Sequence, residues 1–443
     1  MPVFSRDPVY NLKTVLQETG LKADALRMWE EHYGLPLPAR SLGGQRRYSR
    51  YDIETIRWLV KRQGQGLRIA EAVEEWQNLA VRGSDPLDNE SEAGNTPAAA
   101  MIMNTPLDDL RAEWIRACMG FDELSAEMLL NQAFVIYPVE TVCVQVLQAG
   151  LHEMGERWYT GDGSVQQEHF ASSLAIRRLE ALIAANLRPP QAETVLIGCA
   201  AREWHTFPGL LLTLLLRRKG LKVVYLGANT PSAHLVETIR AVRPSLVVLM
   251  AQSLVSAAEL RRAAAALQEE GIQAAYGGWI FNQEPDLVRR IPAHYLGRKI
   301  EESSGMIQQL CSAPEAAPLF SPADAVLLNA ARAFKQKRAQ IENELVENSL
   351  LRGMDPHNIE MGNHFLGDSL AAALDLGDVA YLRVDMEWFN NRVGENLPPA
   401  SPMVGAFTAA YARSVNKHLG ADGRLISAWL ESRAGRLPGA GDA

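Results

Sequence analysis

A chain of 443 residues is too long for one small domain, and we expect about three or four domains. The hydrophobic fraction of 47% and the charged fraction of 22% are ordinary for a soluble protein. The formal net charge of −8 excludes a uniformly basic coat for nucleic acid, so any DNA contact must come from a local patch.

The cysteines and the apolar runs indicate the cellular compartment of the protein. Four scattered cysteines, each in apolar surroundings, indicate reduced core thiols rather than a disulfide framework or a zinc site. They are Cys118, Cys143, Cys199 and Cys311. We expect no signal peptide, and no apolar run reaches the roughly 18 to 20 residues that a membrane span needs. We therefore expect a cytoplasmic protein without a membrane partner.

Residues 1–82 have the pattern of a DNA-binding module. Asn11 can cap a short helix, and a second helix is predicted over 22–33, so the two indicate a helix-turn-helix. The stretch 36–50 has a Gly-Gly pair near its centre and several arginines but no acid. It predicts a β-hairpin wing whose arginines face phosphates. Two further helices are predicted, over 51–63 and 69–79.

The run ALRMWEEHYGLPLPARSLGGQRRYSRYDI closely resembles the MerR-family winged helix-turn-helix, and the match covers residues 10–80. The resemblance implies that promoter DNA is bound by a dimer or a higher assembly. One residue of the second helix and four of the wing are the expected DNA contacts: Arg27, Arg40, Arg46, Arg47 and Tyr48. Trp29 and Tyr33 are expected in the core. The simpler alternative is a solvated basic loop on a helical protein.

A change of composition separates this module from the rest. Residues 83–105 hold no basic side chain and are rich in Ser, Pro, Gly and acid, so we expect a flexible linker. Helical periodicity then predicts a four-helix bundle over 106–190. Its predicted helices are 106–118, 121–135, 139–159 and 163–187.

Residues 191–313 have the pattern of a Rossmann- or flavodoxin-like α/β domain. The apolar run 195–199 predicts a strand, a helix is predicted over 209–219, and a second strand over 222–226. The loop after the first strand lies at its carboxyl end, where open α/β sheets bind ligands.

That loop carries Glu203 and His205. An imidazole there can ligate a metal, while a carboxylate two residues earlier can fix its tautomer. Small residues follow the successive predicted strands, as a sheet needs if a nucleotide tail is to pass close to its backbone. They are Gly227, Ser253, Gly277 and Gly278. The alternative is a hydrogen-bonded bystander histidine beside ordinary strand-to-helix turns.

These residues resemble the cobalamin-binding domain of methionine synthase, the mutases and the light-sensing regulators, whose loop is Asp/Glu-x-His-x-x-Gly. The resemblance implies that His205 is the lower cobalt ligand and that Glu203 orients it. The chain departs from the pattern at Pro208, where the family has glycine. Gly209 follows one residue late and is included among the expected cofactor contacts.

The segment WYTGDGSVQQEHF, near the end of the predicted bundle, carries Trp158 and, after nine residues, Glu168 and His169. It resembles the Trp-x9-Glu-His signature of CarH-type adenosylcobalamin photoreceptors. The resemblance implies that the bundle covers the upper face of the corrin, with these residues around the adenosyl group. In that family the residue after the tryptophan is a histidine that takes up cobalt after illumination, and here it is Tyr159. A phenol is a poor cobalt ligand, so a bis-histidine light state is not expected.

Residues 320–443 predict an all-α domain reached through a Pro- and Ala-rich tether. The predicted helices are 323–350, 358–375, 378–393, 402–418 and 423–433. The architecture is loosely similar to photocobilins, which carry a bilin-binding domain beside cobalamin. The absence of cysteine beyond Cys311 excludes a thioether-linked bilin in this domain, so biliverdin would be held non-covalently. The candidate contacts are His357, His364 and His418, and a purely oligomerising bundle is the alternative.

Together these patterns predict a multidomain α and α/β protein. It would be a light-responsive transcriptional regulator rather than an enzyme, binding adenosylcobalamin and promoter DNA and associating with itself as a dimer or tetramer, without an obligate protein partner. The alternatives are a dual cobalamin and bilin photoreceptor, a sensor of cobalamin supply that does not use light, a cobalamin-dependent methyl-transfer or mutase enzyme, and a regulator whose α/β domain binds another ligand.

Overall fold

The structure, a computed structural model, divides into two compact units, Met1–Thr105 and Pro106–Ala443. The residues that it describes are 4–19, 21, 23–40, 44–64, 69–81, 87, 105–159, 161–185, 193–316, 318, 320–321, 324–347, 351, 354–386 and 400–434. Apart from Leu87 and Thr105, the predicted linker 83–105 lies outside them.

The first unit is a small antiparallel sheet packed against helices. The helices are α1 Leu12–Thr19, α2 Ala23–Tyr33, α3 Arg50–Gly64 and α4 Ile69–Val81, and the strands are β1 Tyr10–Asn11, β2 Ala39–Arg40 and β3 Arg46–Tyr48. The order β1-β3-β2 forms the predicted hairpin wing, with Arg40 opposite Arg46. The Asn11 side chain accepts a hydrogen bond of 2.9 Å from the Thr14 amide, which is the predicted cap of α1. Trp29 is buried and Tyr33 packs beside it, as expected.

The second unit begins with the predicted bundle. Its helices are α5 Leu107–Met119, α6 Glu123–Ile136, α7 (Val139–Val142 and Ala149–Tyr159, joined by the π-helical segment Cys143–Gln148) and α8 Val165–Ala185. Asp122 caps α6 by accepting a hydrogen bond of 3.0 Å from the Ser125 amide. α7 and α5 approach closely because Gly150 has no Cβ, and one built there would lie 2.8 Å from the Trp114 ring.

A parallel five-stranded sheet follows the bundle. Its strands are β4 Thr194–Cys199, β5 Lys222–Tyr225, β6 Leu246–Met250, β7 Ala274–Gly277 and β8 His294–Tyr295, in the order β5-β4-β6-β7-β8. Its helices are α9 Phe207–Arg218, α10 Leu235–Val242, α11 Leu254–Glu269, α12 Trp279–Gln283 and α13 Ile300–Ser312. This is the flavodoxin-like order, in which ligands bind where the strand order reverses.

Helix α9 is apolar on every side because it lies between two cores. Leu211 and Leu214 pack into the bundle, while Leu212 and Leu216 pack against the sheet. A helix enclosed in this way needs no polar face, which accounts for the run LLLTLLL. Helix α9 thereby joins the core of the bundle to the core of the sheet.

The carboxy-terminal helices pack directly on the α/β domain. They are α14 Ala325–Val346, α15 Pro356–Leu376, α16 Ala400–Leu419 and α17 Arg424–Ala434. Helix α15 packs on α11, and their buried side chains, among them Leu260 and Leu370, belong to one core. The tether itself is tied to the α/β domain, because the Ser321 amide donates to the Arg289 carbonyl at 2.8 Å. These helices therefore form a second layer over the sheet.

Of the helix expected over 378–393, the described part is a 3-10 turn, Val379–Tyr381, followed by helical residues to 386. In the described part of the chain, Cys118, Cys143 and Cys199 are free and buried. No helix among the described residues is both long and apolar enough to span a bilayer.

Candidate functional site

The loops after β4 and β6 meet at the position where the strand order reverses, and the predicted Glu203 lies between them. Its side chain is 1% exposed. Oε1 accepts from the His205 amide at 2.9 Å, and Oε2 accepts from the Gln252 amide at 2.6 Å and from Ser256 Oγ at 2.7 Å. Burial raises the pKa of Glu203, but the hydrogen bonds from His205 and Gln252 outweigh it, so the net pKa is lowered and the group is a carboxylate.

The imidazole of His205 is held by this carboxylate. Nδ1 lies 2.6 Å from Glu203 Oε1, while the side chain as a whole is 72% exposed. The hydrogen bond to Glu203 raises the pKa of His205. The surrounding protein atoms partly oppose this by desolvation, although the side chain keeps its contact with solvent, and the charges of Glu203 and Glu168 add to the rise. Because Nδ1 donates to a carboxylate, Nε2 carries the lone pair of the neutral ring and can ligate a metal.

Hydrogen bonds join the backbone of the loop after β4 to the loop after β5. Arg202 and Asn229 have φ of 65° and 49°, the left-handed region that few side chains adopt. The Arg202 amide donates to Asn229 Oδ1 at 2.7 Å, and the Asn229 amide donates to the Glu203 carbonyl at 2.8 Å. Neither residue was singled out from the sequence, although asparagine in YLGANTP is a residue that tolerates this conformation.

Two of the predicted small residues are needed for close packing. Gly278 has φ of 145°, and a Cβ there would lie 1.7 Å from the Ala251 carbonyl oxygen. A Cβ on Gly209 would lie 2.8 Å from the Tyr225 ring, so this glycine lets α9 approach β5. The close packing of α9 on β5 is therefore sufficient to explain why this position is glycine.

The other three lie at strand ends with different surroundings. Gly227 has φ of 83°, and its carbonyl accepts from the Cys199 amide at 3.0 Å. Gly277 ends β7 and has no atom within 4 Å of the position of a Cβ, so space is open beside it. Ser253 caps α11 in a reciprocal capping box with Ser256, which in turn donates to Glu203. Ser253 thus supports the site through the helix end.

The bundle brings a second carboxylate toward the His205 ring. Glu168 lies in the first turn of α8, and its charge acts on His205. His169 Nε2 lies 3.7 Å from the Glu168 carboxylate and its side chain is exposed. Trp158 is half-buried near the end of α7, and the side chain of Tyr159 lies outside the part that the structure describes.

The predicted DNA contacts of the first unit include exposed arginines and one buried tyrosine. Arg27 and Arg40 are exposed, and Arg47 donates to the Val9 carbonyl at 3.3 Å. Tyr48 is fully buried, and its hydroxyl donates to Glu30 at 2.6 Å. Arg46 pairs with the same Glu30 at 2.7 Å. The predicted DNA contact by the Tyr48 ring is therefore corrected, because the side chain holds the wing to α2 from inside.

The predicted bilin contacts do not share a site. His357 is exposed, His364 Nε2 lies 3.5 Å from Asp368, and His418 Nε2 lies 2.6 Å from Glu344. A cavity of about 700 Å³ beside α17 is lined by Arg290, Trp429 and their neighbours, and none of the three histidines is among its described lining residues. Binding of a bilin stays a prediction.

Comparison with known proteins covers most of the chain before residue 300. The MerR HTH family regulatory protein matches residues 10–79, and B12 binding domains match residues 110–183 and 193–299. A MerR-type helix-turn-helix joined to B12-binding domains defines a cobalamin-binding transcriptional regulator, as the sequence predicted. The HTH-type transcriptional repressor CarA of Myxococcus xanthus is 31% identical over 240 residues, which are 54% of this chain and 75% of the relative. The chain belongs to the family of this repressor.

The chain is also similar to two further known proteins. The HTH-type transcriptional repressor CarH of Myxococcus xanthus is 26% identical over 288 residues, 64% of this chain and 94% of the relative. The structure of the Methanosarcina barkeri monomethylamine corrinoid protein is similar at 16% identity and a TM-score of 0.41, over 46% of this chain and 100% of that one. CarA and CarH are repressors rather than enzymes.

The residues of the site fit a corrinoid. His205 offers an imidazole nitrogen with its tautomer fixed by Glu203, which is a donor suited to cobalt. Beside it, the buried Thr230 Oγ1 has no protein partner and faces Gly198, where a Cβ would lie 2.9 Å away. An unsatisfied buried hydroxyl at the carboxyl edge of the sheet is a ready partner for a polar group of a bound nucleotide tail.

Proposed function

We propose that the chain is a light-responsive repressor that binds adenosylcobalamin with His205 as the lower ligand. The observation that carries this is the Glu203–His205 pair at the sheet: Nδ1 of the imidazole lies 2.6 Å from a carboxylate that is 1% exposed, while the imidazole side chain is 72% exposed. The charge of Glu168, from the bundle, adds to the raised pKa of the same ring. A ligand bound on His205 would lie between the bundle and the sheet, and would contact both.

When bound, adenosylcobalamin supplies a cobalt–carbon bond that visible light cleaves. The chain contributes the surroundings of that bond. Trp158, Glu168 and His169 would enclose the adenosyl group, since an indole offers an apolar surface and the other two offer polar contacts. Loss of these contacts would leave α7 and α8 free to shift against α9, which they pack beside.

The output follows from linkage between the bundle and self-association. If copies associate through the bundle and the sheet layer, a shift of α7 and α8 changes the association equilibrium. The MerR-type units bind DNA weakly one at a time, and an assembly raises their effective concentration on a promoter. Illumination would thereby lower the affinity for DNA through a change in assembly.

The test uses the full chain loaded with adenosylcobalamin in the dark. Absorbance, mass by light scattering, and affinity for a DNA fragment that the protein selects from a random pool are measured before and after green light. We expect a change in all three. An unchanged spectrum and mass would reject the light response, and a difference in DNA affinity between the cofactor-free and loaded forms in the dark would then favour a sensor of cobalamin supply.

A separate experiment tests His205 as the lower cobalt ligand. His205→Ala should lose the protein-nitrogen coupling in the electron paramagnetic resonance spectrum of the cobalt(II) form. His234 is the matched control, since it is an exposed histidine of the same domain whose Nδ1 lies 3.2 Å from Glu237. His234→Ala should keep the coupling. Retention of the coupling in both variants would exclude His205 as the ligand.

A further inference from the structure

Among the residues that the structure describes, two ion pairs join helix α15 to the α/β domain, and one of them reaches the loop that carries Glu203 and His205. Asp368 pairs with Arg202 of the loop after β4, and Asp375 pairs with Arg262 of α11. The two aspartates are equally buried, each with a side chain 12% exposed, and the two arginines are exposed by 45% and 44%. The two pairs are chemically alike. They differ because Asp368 holds the loop after β4, whereas Asp375 holds helix α11.

The backbone of Arg202 helps to set the conformation of the loop after β4. Arg202 stands one residue before Glu203, and its backbone is in the left-handed region at φ 65°. A non-glycine residue occupies this region at a cost in free energy, so the conformation persists when neighbouring contacts fix it. Its amide is fixed by Asn229, and its guanidinium by Asp368.

Arg338 of the carboxy-terminal helix α14 holds the side chain of Asp368. Asp368 Oδ1 accepts from Arg338 at 2.6 Å, and Arg338 also donates from Nε to Glu342 at 2.6 Å. Arg338 Nη2 donates to the His364 carbonyl at 3.3 Å. Opposing positive charges and these hydrogen bonds keep the pKa of Asp368 lowered although burial acts to raise it.

We infer that Asp368 is a positioning residue through which the carboxy-terminal helices fix the loop that carries Glu203 and His205. This rests on the proposed function, because it assumes that His205 ligates cobalt. Arg338 and Asp368 form a continuous polar connection from α14 to Arg202, three residues before His205. Coupling between two sites is reciprocal, so a change in the packing of α14 and α15 alters corrinoid binding, and corrinoid binding alters that packing.

Asp368→Asn keeps the size of the side chain and removes its charge, and Asp375→Asn does the same two turns further along α15. Both are prepared in the full chain. Three quantities are compared with those of the parent protein: affinity for cobalamin, amide hydrogen exchange of residues 201–206 in cofactor-free protein, and thermal unfolding. Asp368→Glu serves as the conservative variant.

Asp368→Asn should weaken cobalamin binding about fivefold and speed exchange in the loop. Asp375→Asn should leave both unchanged while lowering thermal stability to a similar extent, and Asp368→Glu should restore part of the affinity. Equal effects of the two asparagine variants on affinity and exchange would overturn the inference, since the ion pairs would then act only on stability. Failure of the parent protein to show histidine-ligated cobalt would instead refute the proposed function.

Discussion

The carboxylate of Glu203 lies 2.6 Å from Nδ1 of His205, and the same carboxylate accepts from the Gln252 amide and the Ser256 hydroxyl. One buried side chain thus joins the loops after β4 and β6 and sets the orientation of the ring. The four hydrogen bonds, including that from the His205 amide, saturate both oxygens. The imidazole is therefore positioned before any ligand binds.

Glu203→Gln should weaken cobalamin binding about 10- to 100-fold, which is the usual effect of removing the group that orients a metal-bound histidine. The amide nitrogen of glutamine cannot accept from the donors that Glu203 serves, so at least one of them loses its partner. The measurement is a spectrophotometric titration with cobalamin. Ser256→Ala removes one donor and leaves the carboxylate, and should cost less. Parent-like affinity in Glu203→Gln would contradict the orienting role.

Gly278→Ala should prevent or strongly weaken folding of the second unit, because its Cβ would overlap the Ala251 carbonyl oxygen at 1.7 Å and its φ is 145°. The neighbouring Gly277→Ala is the control, since its Cβ would meet no atom within 4 Å. Thermal unfolding should separate the two variants. If Gly277→Ala is stable yet binds cobalamin more weakly, the space beside Gly277 is used by the cofactor. Equal stability of both variants would contradict the geometry.

Much of the fold was predictable because local periodicity determines it. The apolar runs of β4 to β7, the helices of the bundle and the Asn11 cap are all readable within about 20 residues of chain. The Glu203–His205 pair was also predictable, because its two members lie two residues apart and belong to a known loop pattern.

Contacts between distant parts of the chain were not predictable in the same way. Asp368 lies 166 residues from Arg202, and nothing in the sequence around either indicates the other. The apolar side of α15 predicts that the helix is buried but not which surface covers it, so its packing on α11 does not follow from the sequence. The arginine neighbours of Tyr48 predict a DNA contact, whereas alternation along β3 directs its side chain inward.

Arg40→Ala should weaken DNA binding to a similar extent on all sequences and lower the slope of log affinity against log salt by about 1, because we expect this exposed wing arginine to contact phosphate. Tyr48→Phe is the control in the same wing. It removes the hydrogen bond to Glu30 and should lower the free energy of unfolding by about 1 kcal/mol without changing that slope. Fluorescence titrations at several salt concentrations provide the slopes. An unchanged slope for Arg40→Ala would remove it from the interface.

Asp385 should make the stability of the carboxy-terminal layer depend on pH. Burial raises the pKa of this carboxyl from 3.8 to about 6, against the opposing effect of the hydrogen bond that Ser369 donates to it. The folded protein therefore holds this proton more tightly than the unfolded chain does. The contribution of Asp385 to the free energy of unfolding is then most favourable below pH 3.8, declines as pH rises toward 6, and stays constant above.

Asp385→Asn should remove this penalty, because the amide oxygen still accepts from Ser369 and carries no charge. The variant should equal the parent protein near pH 4 and exceed its stability at pH 8 by about 1–3 kcal/mol, as measured by urea unfolding at each pH. Ser369→Ala should act in the opposite direction: it removes the donor that favours the ionised carboxylate, so it should cost more at pH 8 than at pH 4. Parallel stability profiles of Asp385→Asn and the parent protein across this range would show that Asp385 titrates alike in the folded and unfolded states, and that solvent reaches it freely.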